Sequence, residues 1–263
     1  MTTTRQFSLA LEALLDLNAE VTSPSLRAKP VLTAPTLKGV LTEIGPLPRE
    51  AFFLGVALDG LPVLLNLNDS IPGPLLIVGE AGSGKTSYLK IIAQTVQQTQ
   101  RVDNVQFAVI TDRPDEWQDI PATDHGVGIF LANHNAAQDL LLSLSRWAHV
   151  NKSKQSVLLL IDDLEAITKV DSEALQNFRW LLLRGPAHRA WPIVTMNAER
   201  YAEVLPWIPL FRTRIFGRIE KQQIAEAVGA DTSSVLETLE AGIQFSLREN
   251  GNWVRFWLPR LDS

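Results

Sequence analysis

Between an apolar tetrapeptide, Leu75–Val78, and an amphipathic segment that begins at Lys85 lies the run Gly79-Glu80-Ala81-Gly82-Ser83-Gly84-Lys85-Thr86. Its spacing is G-x-x-x-x-G-K-[ST], the P-loop pattern. No other stretch narrows the possible folds as much, because a P-loop needs a strand entering it and a helix leaving it. The residue types follow from chemistry. A triphosphate needs many donors close to its oxygens. Consecutive backbone N–H groups converge only where the chain turns tightly, and glycine accepts the positive φ that such a turn demands. The following helix adds the partial positive charge of its N-terminus. Lys85 is expected to reach the β- and γ-phosphates and the Thr86 hydroxyl to ligate Mg²⁺. The expected nucleotide-binding set is Gly79, Glu80, Ala81, Gly82, Ser83, Gly84, Lys85, Thr86 and Ser87, with ATP and Mg²⁺ as cofactors.

From Pro72 onward, strand-like runs alternate with helical ones. The strands expected are Leu75–Val78, Val105–Thr111, Val157–Ile161, Ile193–Met196 and Arg214–Ile219. Helices fit between them at Lys85–Gln98, Ala136–His149 and Ser172–Leu183, each with apolar residues at three- and four-residue spacing. Such alternation implies an α/β fold with a mostly parallel central sheet and helices on both faces. Ser234-Val-Leu-Glu237 reads as a capping box for a last short helix ended by Gly242. Ile243–Leu247 and Trp253–Leu258 read as a hairpin turning at Asn250-Gly251. Ahead of the P-loop, Leu37–Ile44, Ala51–Leu58 and Leu61–Leu67 read as short strands, the last two joined at Asp59-Gly60. The organisation expected is an N-terminal helix and proline-rich arm over 1–36, a small β element over 37–70, and a P-loop core over 71–263.

A second chemical signal is Val157-Leu-Leu-Leu-Ile161-Asp162-Asp163, an apolar run ending in two carboxylates. A buried parallel strand with acids at its end places them at the carboxyl edge of the sheet, where open α/β sheets bind ligands. Asp162 is expected to serve the metal, and Asp163 to orient or deprotonate the attacking water. The alternative is a solvated aspartate capping the next helix.

Composition bounds the rest. The 263 residues are 46% hydrophobic and carry a net charge of −5. A mildly acidic chain is not what a dedicated nucleic-acid binder usually looks like, although a local patch would serve. The absence of cysteine excludes disulfides and thiolate chemistry. The four histidines are scattered without metal-ligand spacing. The longest apolar runs are too short to span a bilayer, so a cytoplasmic location without a membrane span is the expectation. Trp117, Trp207, Trp253 and Trp257 are candidates for stacking on bases, against the plainer reading as core residues.

With these elements in place, the region from about Phe53 to Leu258 resembles the FtsK/HerA family of DNA-pumping P-loop ATPases. Phe53–Leu67 is similar to the strand pair before that family's P-loop, and Ile110-Thr-Asp112 to its second core strand. Asp162-Asp163 stands where the family carries Asp-Glu. Arg184–Asn197 resembles the helix end and the sensor strand, and Phe211–Ile219 the next strand with its leading arginine. The resemblance implies a RecA-like sheet whose sensor strand lies between the two nucleotide strands, with Asn197 as the polar sensor. It also implies a homo-oligomer, usually a hexameric ring, with ATP sites at subunit interfaces. There an arginine from the 184–218 stretch, with Arg189 and Arg214 the candidates, acts on a neighbour's γ-phosphate. The activity so implied is ATP hydrolysis coupled to translocation of a polymer, most naturally DNA. A slow-hydrolysing nucleotide-dependent switch or scaffold acting on a protein partner is the alternative, suggested by the shorter acid at 163 and the acidic balance.

Overall fold

The computed structural model describes residues 35–48, 50–249 and 251–262. The helix expected over 1–20 and most of the proline-rich arm lie outside these residues. The first element of the described residues is helix α1 (Leu37–Ile44), where the sequence pattern predicts a strand. The Thr36 side chain accepts the Gly39 N–H at 3.2 Å and caps it. Leu37, Val40, Leu41 and Ile44 then fall at i, i+3, i+4 and i+7, and this face packs on the core. Gly39 and the β-branched Val40 and Thr42 disguise that period in the sequence. The chain before α1 is strapped to the C-terminal segment. Arg260 N–H donates to Pro35 O at 2.9 Å, and Leu37 N–H to Arg260 O at 2.8 Å.

Strands β1 (Ala51–Ala57) and β2 (Pro62–Asn66) form the hairpin expected at Asp59-Gly60. They do not stand apart as a separate β element, because β1 also pairs with the last strand of the chain. The nucleotide-binding half follows: β3 (Leu75–Gly79), α2 (Lys85–Thr99), β4 (Val105–Thr111), β5 (Gly126–Leu131), α3 (Asn135–Val150), β6 (Ser156–Asp162), a short α4 (Leu164–Ile167), α5 (Ser172–Arg184), β7 (Ala190–Asn197), a short α6 (Tyr201–Val204) and β8 (Thr213–Phe216). A short α7 (Gln222–Ala227) leads to the closing hairpin of β9 (Gln244–Glu249) and β10 (Asn252–Trp257).

Among the described residues, ten strands join one sheet in the order β2-β1-β10-β9-β8-β3-β7-β6-β4-β5. The six from β8 to β5 are parallel, and the other four extend them antiparallel. Every residue of β6 is buried, as a strand covered on both faces requires. Its side chains alternate between two cores. Val157, Leu159 and Ile161 meet Leu141 and Leu144 of α3 and Phe178 and Leu181 of α5. Leu158 and Leu160 meet the face of α2 that carries Leu89, Ile92 and Val96.

Two further expectations are corrected. The 234–237 segment is not a capped helix. Val235 takes a left-handed φ of 44° and splits the run into 3₁₀ turns at Thr232–Ser234 and Leu236–Thr238. Asp231, not Ser234, caps the first turn, accepting the Ser233 N–H at 3.0 Å. Strand β5 was missed because Gly126 and Gly128 depress its strand character and it is half exposed at the sheet edge. Trp117, Trp207, Trp253 and Trp257 all pack against the two cores.

The docking of α1 leads to a stability prediction. Leu37 is fully buried, so Leu37→Ala is expected to cost about 2–4 kcal/mol. Thr36→Ala should cost about 1 kcal/mol through loss of the cap. Chemical denaturation of both variants checks the order. If this stretch were an edge strand, removing the Thr36 hydroxyl would cost nothing.

Candidate functional site

Strand β3 delivers the chain into the loop at Gly79, and α2 leaves it at Lys85. At Gly79 the space is tight, since a Cβ there would crowd the Ser83 side chain. At Gly84 the requirement is double. Its φ is +87°, and a Cβ would meet Gly242 Cα at 2.6 Å. The Lys85 ammonium folds back over the loop and donates to Glu80 O at 2.8 Å. Burial pulls its pKa down, opposed by the charges of Asp163, Asp162 and Glu165, with Arg113 adding to the fall.

Because β7 lies between β3 and β6, three strand ends converge on the loop. Thr86 Oγ1 lies 3.0 and 3.2 Å from the two oxygens of Asp162. From β7, Thr195 Oγ1 lies 2.9 Å from Asp162 Oδ1 and 3.3 Å from Asp163 Oδ1, and its single proton serves one of them at a time. Asp162 is 2% exposed. Burial raises the pKa of Asp163, and the like charge of Asp162 raises it further. Lys85, Arg113 and the Thr195 hydroxyl pull it back. Asn197 pairs with Gly79 at the end of β7. Its Oδ1 accepts the Glu199 N–H at 3.1 Å, which leaves its NH₂ as the part able to donate to a ligand.

These groups line a cleft of about 430 Å³ bounded by Ala81, Gly82, Gly84, Lys85, Thr86, Ser87, Arg113, Asp162, Asp163 and Asn197. A larger open groove beside α1 holds none of them. Of the expected loop residues, Gly79, Glu80 and Ser83 lie behind the cleft and shape it. The residues suit Mg²⁺ bound with a nucleotide. The Thr86 hydroxyl and an Asp162 carboxylate within hydrogen-bond distance offer oxygen ligands at one point, as a hard cation prefers. No cluster of three acidic or histidine side chains able to hold a metal occurs among the described residues.

Arg189 and Arg214 do not join this cleft within their own chain. Arg189 precedes β7 at the end of that strand opposite Asn197, and its Nη1 donates to Lys154 O at 3.4 Å. Arg214 donates to Ile208 O at 3.1 Å and Val228 O at 3.4 Å, half-buried in a different cleft. Three residues were passed over by the sequence reading. Thr195 bridges the two acids. Arg113, just beyond β4, faces them across the cleft. Glu165 is 1% exposed, and its Oε1 accepts the Asn197 N–H at 3.0 Å. Burial raises its pKa, and its Oε2 is buried without a partner. The one available signal was an acid two positions after Asp163, on the turn that leaves the same strand.

The raised carboxyl of Asp163 has a stability consequence. Since its folded pKa exceeds its ordinary value, the folded state loses stability as pH rises through that interval. Asp163→Asn should therefore unfold at a higher temperature than wild type at neutral pH. The difference should vanish below the ordinary carboxylate range. Thermal melts at several pH values check this, and an Asn variant less stable at neutral pH would contradict it.

The NACHT domain family matches residues 73–205, which contain both acids, the P-loop and the sensor strand. No curated protein matches the sequence. Several solved structures are similar. The cytoplasmic domain of the type VII secretion ATPase EccC of Thermomonospora curvata has a TM-score of 0.66 at 16% identity, covering 92% of this chain and 29% of that one. The pCW3 conjugation coupling protein TcpA, in monomer form with ATPγS, has a TM-score of 0.63 at 17% identity, over 88% of this chain and 71% of that one. B204, the DNA-packaging ATPase of Sulfolobus turreted icosahedral virus, has a TM-score of 0.53 at 13% identity, over 70% and 97%. The chain thus spans less than a third of the EccC chain it matches. At such identities the likeness shows the fold alone, a RecA-like α/β core with a mostly parallel central sheet. No helix among the described residues is long and apolar enough to cross a membrane. The match over residues 73–205, half of the chain, places this protein in the NACHT domain family of P-loop NTPases.

Proposed function

We propose that the chain is a Mg²⁺-dependent ATPase that works as a homo-oligomer and couples hydrolysis to movement of a polymer. The observation that carries this reading is the convergence of Lys85, Thr86, Asp162, Asp163 and Asn197 on one cleft at the carboxyl edge of the sheet. The P-loop amides and Lys85 hold the β- and γ-phosphates. Thr86 and Asp162 would hold Mg²⁺, which would supply positive charge against the phosphate oxygens. Asp163 receives a proton from the attacking water, and its raised pKa suits it to that task. Asn197 orients the water or the γ-phosphate through its NH₂ group. Glu165 holds the Asn197 backbone in register.

DNA is the polymer we favour, because a conjugation coupling protein and a DNA-packaging ATPase share the fold. With a net charge of −5, binding must come from local basic patches. A second reading, a nucleotide-dependent switch on a protein partner, is supported by the similar EccC structure in complex with a signal sequence peptide. In a ring, a cation from the next copy would complete the site. Arg189 has the freer guanidinium, since two backbone carbonyls occupy Arg214.

Lys85→Ala should lower Mg·ATP turnover by about 100-fold or more while leaving the fold intact. Asp163→Asn should bind ATP normally and lose turnover. Lowering pH should slow wild type beginning above the ordinary carboxylate range, since protonated Asp163 cannot accept a proton. Steady-state phosphate release with calorimetric binding separates these outcomes, and equal turnover in Asp163→Asn would remove the assignment.

DNA at low salt should stimulate turnover, with an effect that falls steeply as salt rises. Absence of stimulation would favour the switch. Light scattering with a non-hydrolysable ATP analogue should show oligomers, and monomers at every concentration would dismiss the ring.

A further inference from the structure

Arg113 is the one charged residue of the cleft that neither the P-loop nor the two-acid strand supplies. It emerges just after β4, whose Thr111 pairs with Asp162. It therefore faces the acids from the side away from the P-loop. Its backbone is fixed. The Arg113 N–H donates to Thr111 Oγ1 at 3.0 Å, and the turn Pro114–Trp117 that follows is anchored by the fully buried Trp117. Only the side chain is free to choose partners. That side chain is 53% exposed and donates from Nη1 to Glu116 Oε1 at 2.7 Å.

Two facts make this pairing exchangeable. An exposed i,i+3 ion pair is weak, because water screens it. A guanidinium binds a phosphate through two parallel hydrogen bonds, which an exposed carboxylate at the cleft rim does not match in charge. The charge of Arg113 already reaches into the cleft, opposing the rise in the Asp163 pKa and adding to the fall in that of Lys85. The loop amides address phosphates that a diphosphate and a triphosphate share. A group beyond the acids, by contrast, meets only the terminal phosphate.

We propose that Arg113 is the γ-phosphate-sensing residue of its own subunit, and that Glu116 is the competing anion that holds it aside when the γ-phosphate is absent. Arg113 thereby discriminates ATP from ADP. The exchange swings one side chain off an anchored turn, so nucleotide state is reported at the sheet edge between β4 and β5 without a backbone rearrangement. The inference rests on the ATP reading of the cleft and specifies how that site tells its substrate from its product.

The test uses the full chain and calorimetric titration with Mg·ADP and with the Mg complex of a non-hydrolysable ATP analogue. Wild type should prefer the triphosphate. Arg113→Ala should weaken triphosphate binding about tenfold and leave ADP within about twofold. Arg113→Lys should restore part of the preference. Glu116→Gln should strengthen triphosphate binding alone, because the competitor is gone. Both positions are exposed, and melting temperatures within a few degrees of wild type verify folding. A wild type that binds neither nucleotide overturns the ATP reading and this proposal together. A wild type that binds both, with an unchanged preference in Arg113→Ala or no gain in Glu116→Gln, overturns the proposal alone.

Discussion

Two adjacent carboxylates end a strand that is buried on both faces, and the architecture of the site is the answer to that electrostatic problem. Asp162 is almost without solvent and Asp163 is largely covered, so neither can rely on water for solvation. Compensation has to come from protein groups. Thr86 reaches Asp162 from α2, Thr195 reaches both acids from β7, and the Lys85 ammonium supplies the opposing charge. Thr195 can do this only if β7 lies against β6. Asn197 can stand beside the loop only if the other edge of β7 pairs with β3. The strand order β3-β7-β6 is therefore the order that lets one threonine neutralise part of the cost of the acids while its neighbour two positions on reaches the phosphate cradle.

This dependence explains what could be read in the sequence. Gly79 to Thr86 was legible because a phosphate cradle is local: spacing, preceding strand and following helix all fall within one short segment. Asp162 and Asp163 were legible because an apolar run ending in acids is also local. Thr195, Arg113 and Glu165 were not. Each belongs to the site through tertiary order, Thr195 by the insertion of β7 and Arg113 by the register of β4 against β6. Glu165 belongs through a single bond to the Asn197 backbone. Local signals also misled. Leu37–Ile44 carries β-branched residues and a glycine that hide a helical face, and only its capping threonine marks it. At Ser234–Glu237 the letters of a capping box are present, but Asp231 makes the first cap and the left-handed Val235 ends the turn.

The phosphate loop is also supported from the side that β7 does not cover, by the chain leaving β8 and the chain entering β9. Gly217 N–H donates to Val78 O at 2.7 Å, and Glu80 N–H donates to Arg218 O at 3.1 Å. The Glu80 carboxylate in turn accepts the Glu220 N–H at 2.8 Å. That bond gives the Glu80 side chain a structural role in the loop. On the next segment, Gly242 N–H donates to Ser83 O at 3.2 Å, and Gly84 sits against Gly242 with no room for a side chain. The loop is thus held between the connection leaving β8 and the one entering β9. Neither connection lines the cleft, yet both fix the amides that would receive the phosphates. On the flank opposite Arg113, the loop is therefore held by the hydrogen bonds at residues 217–220 and 242.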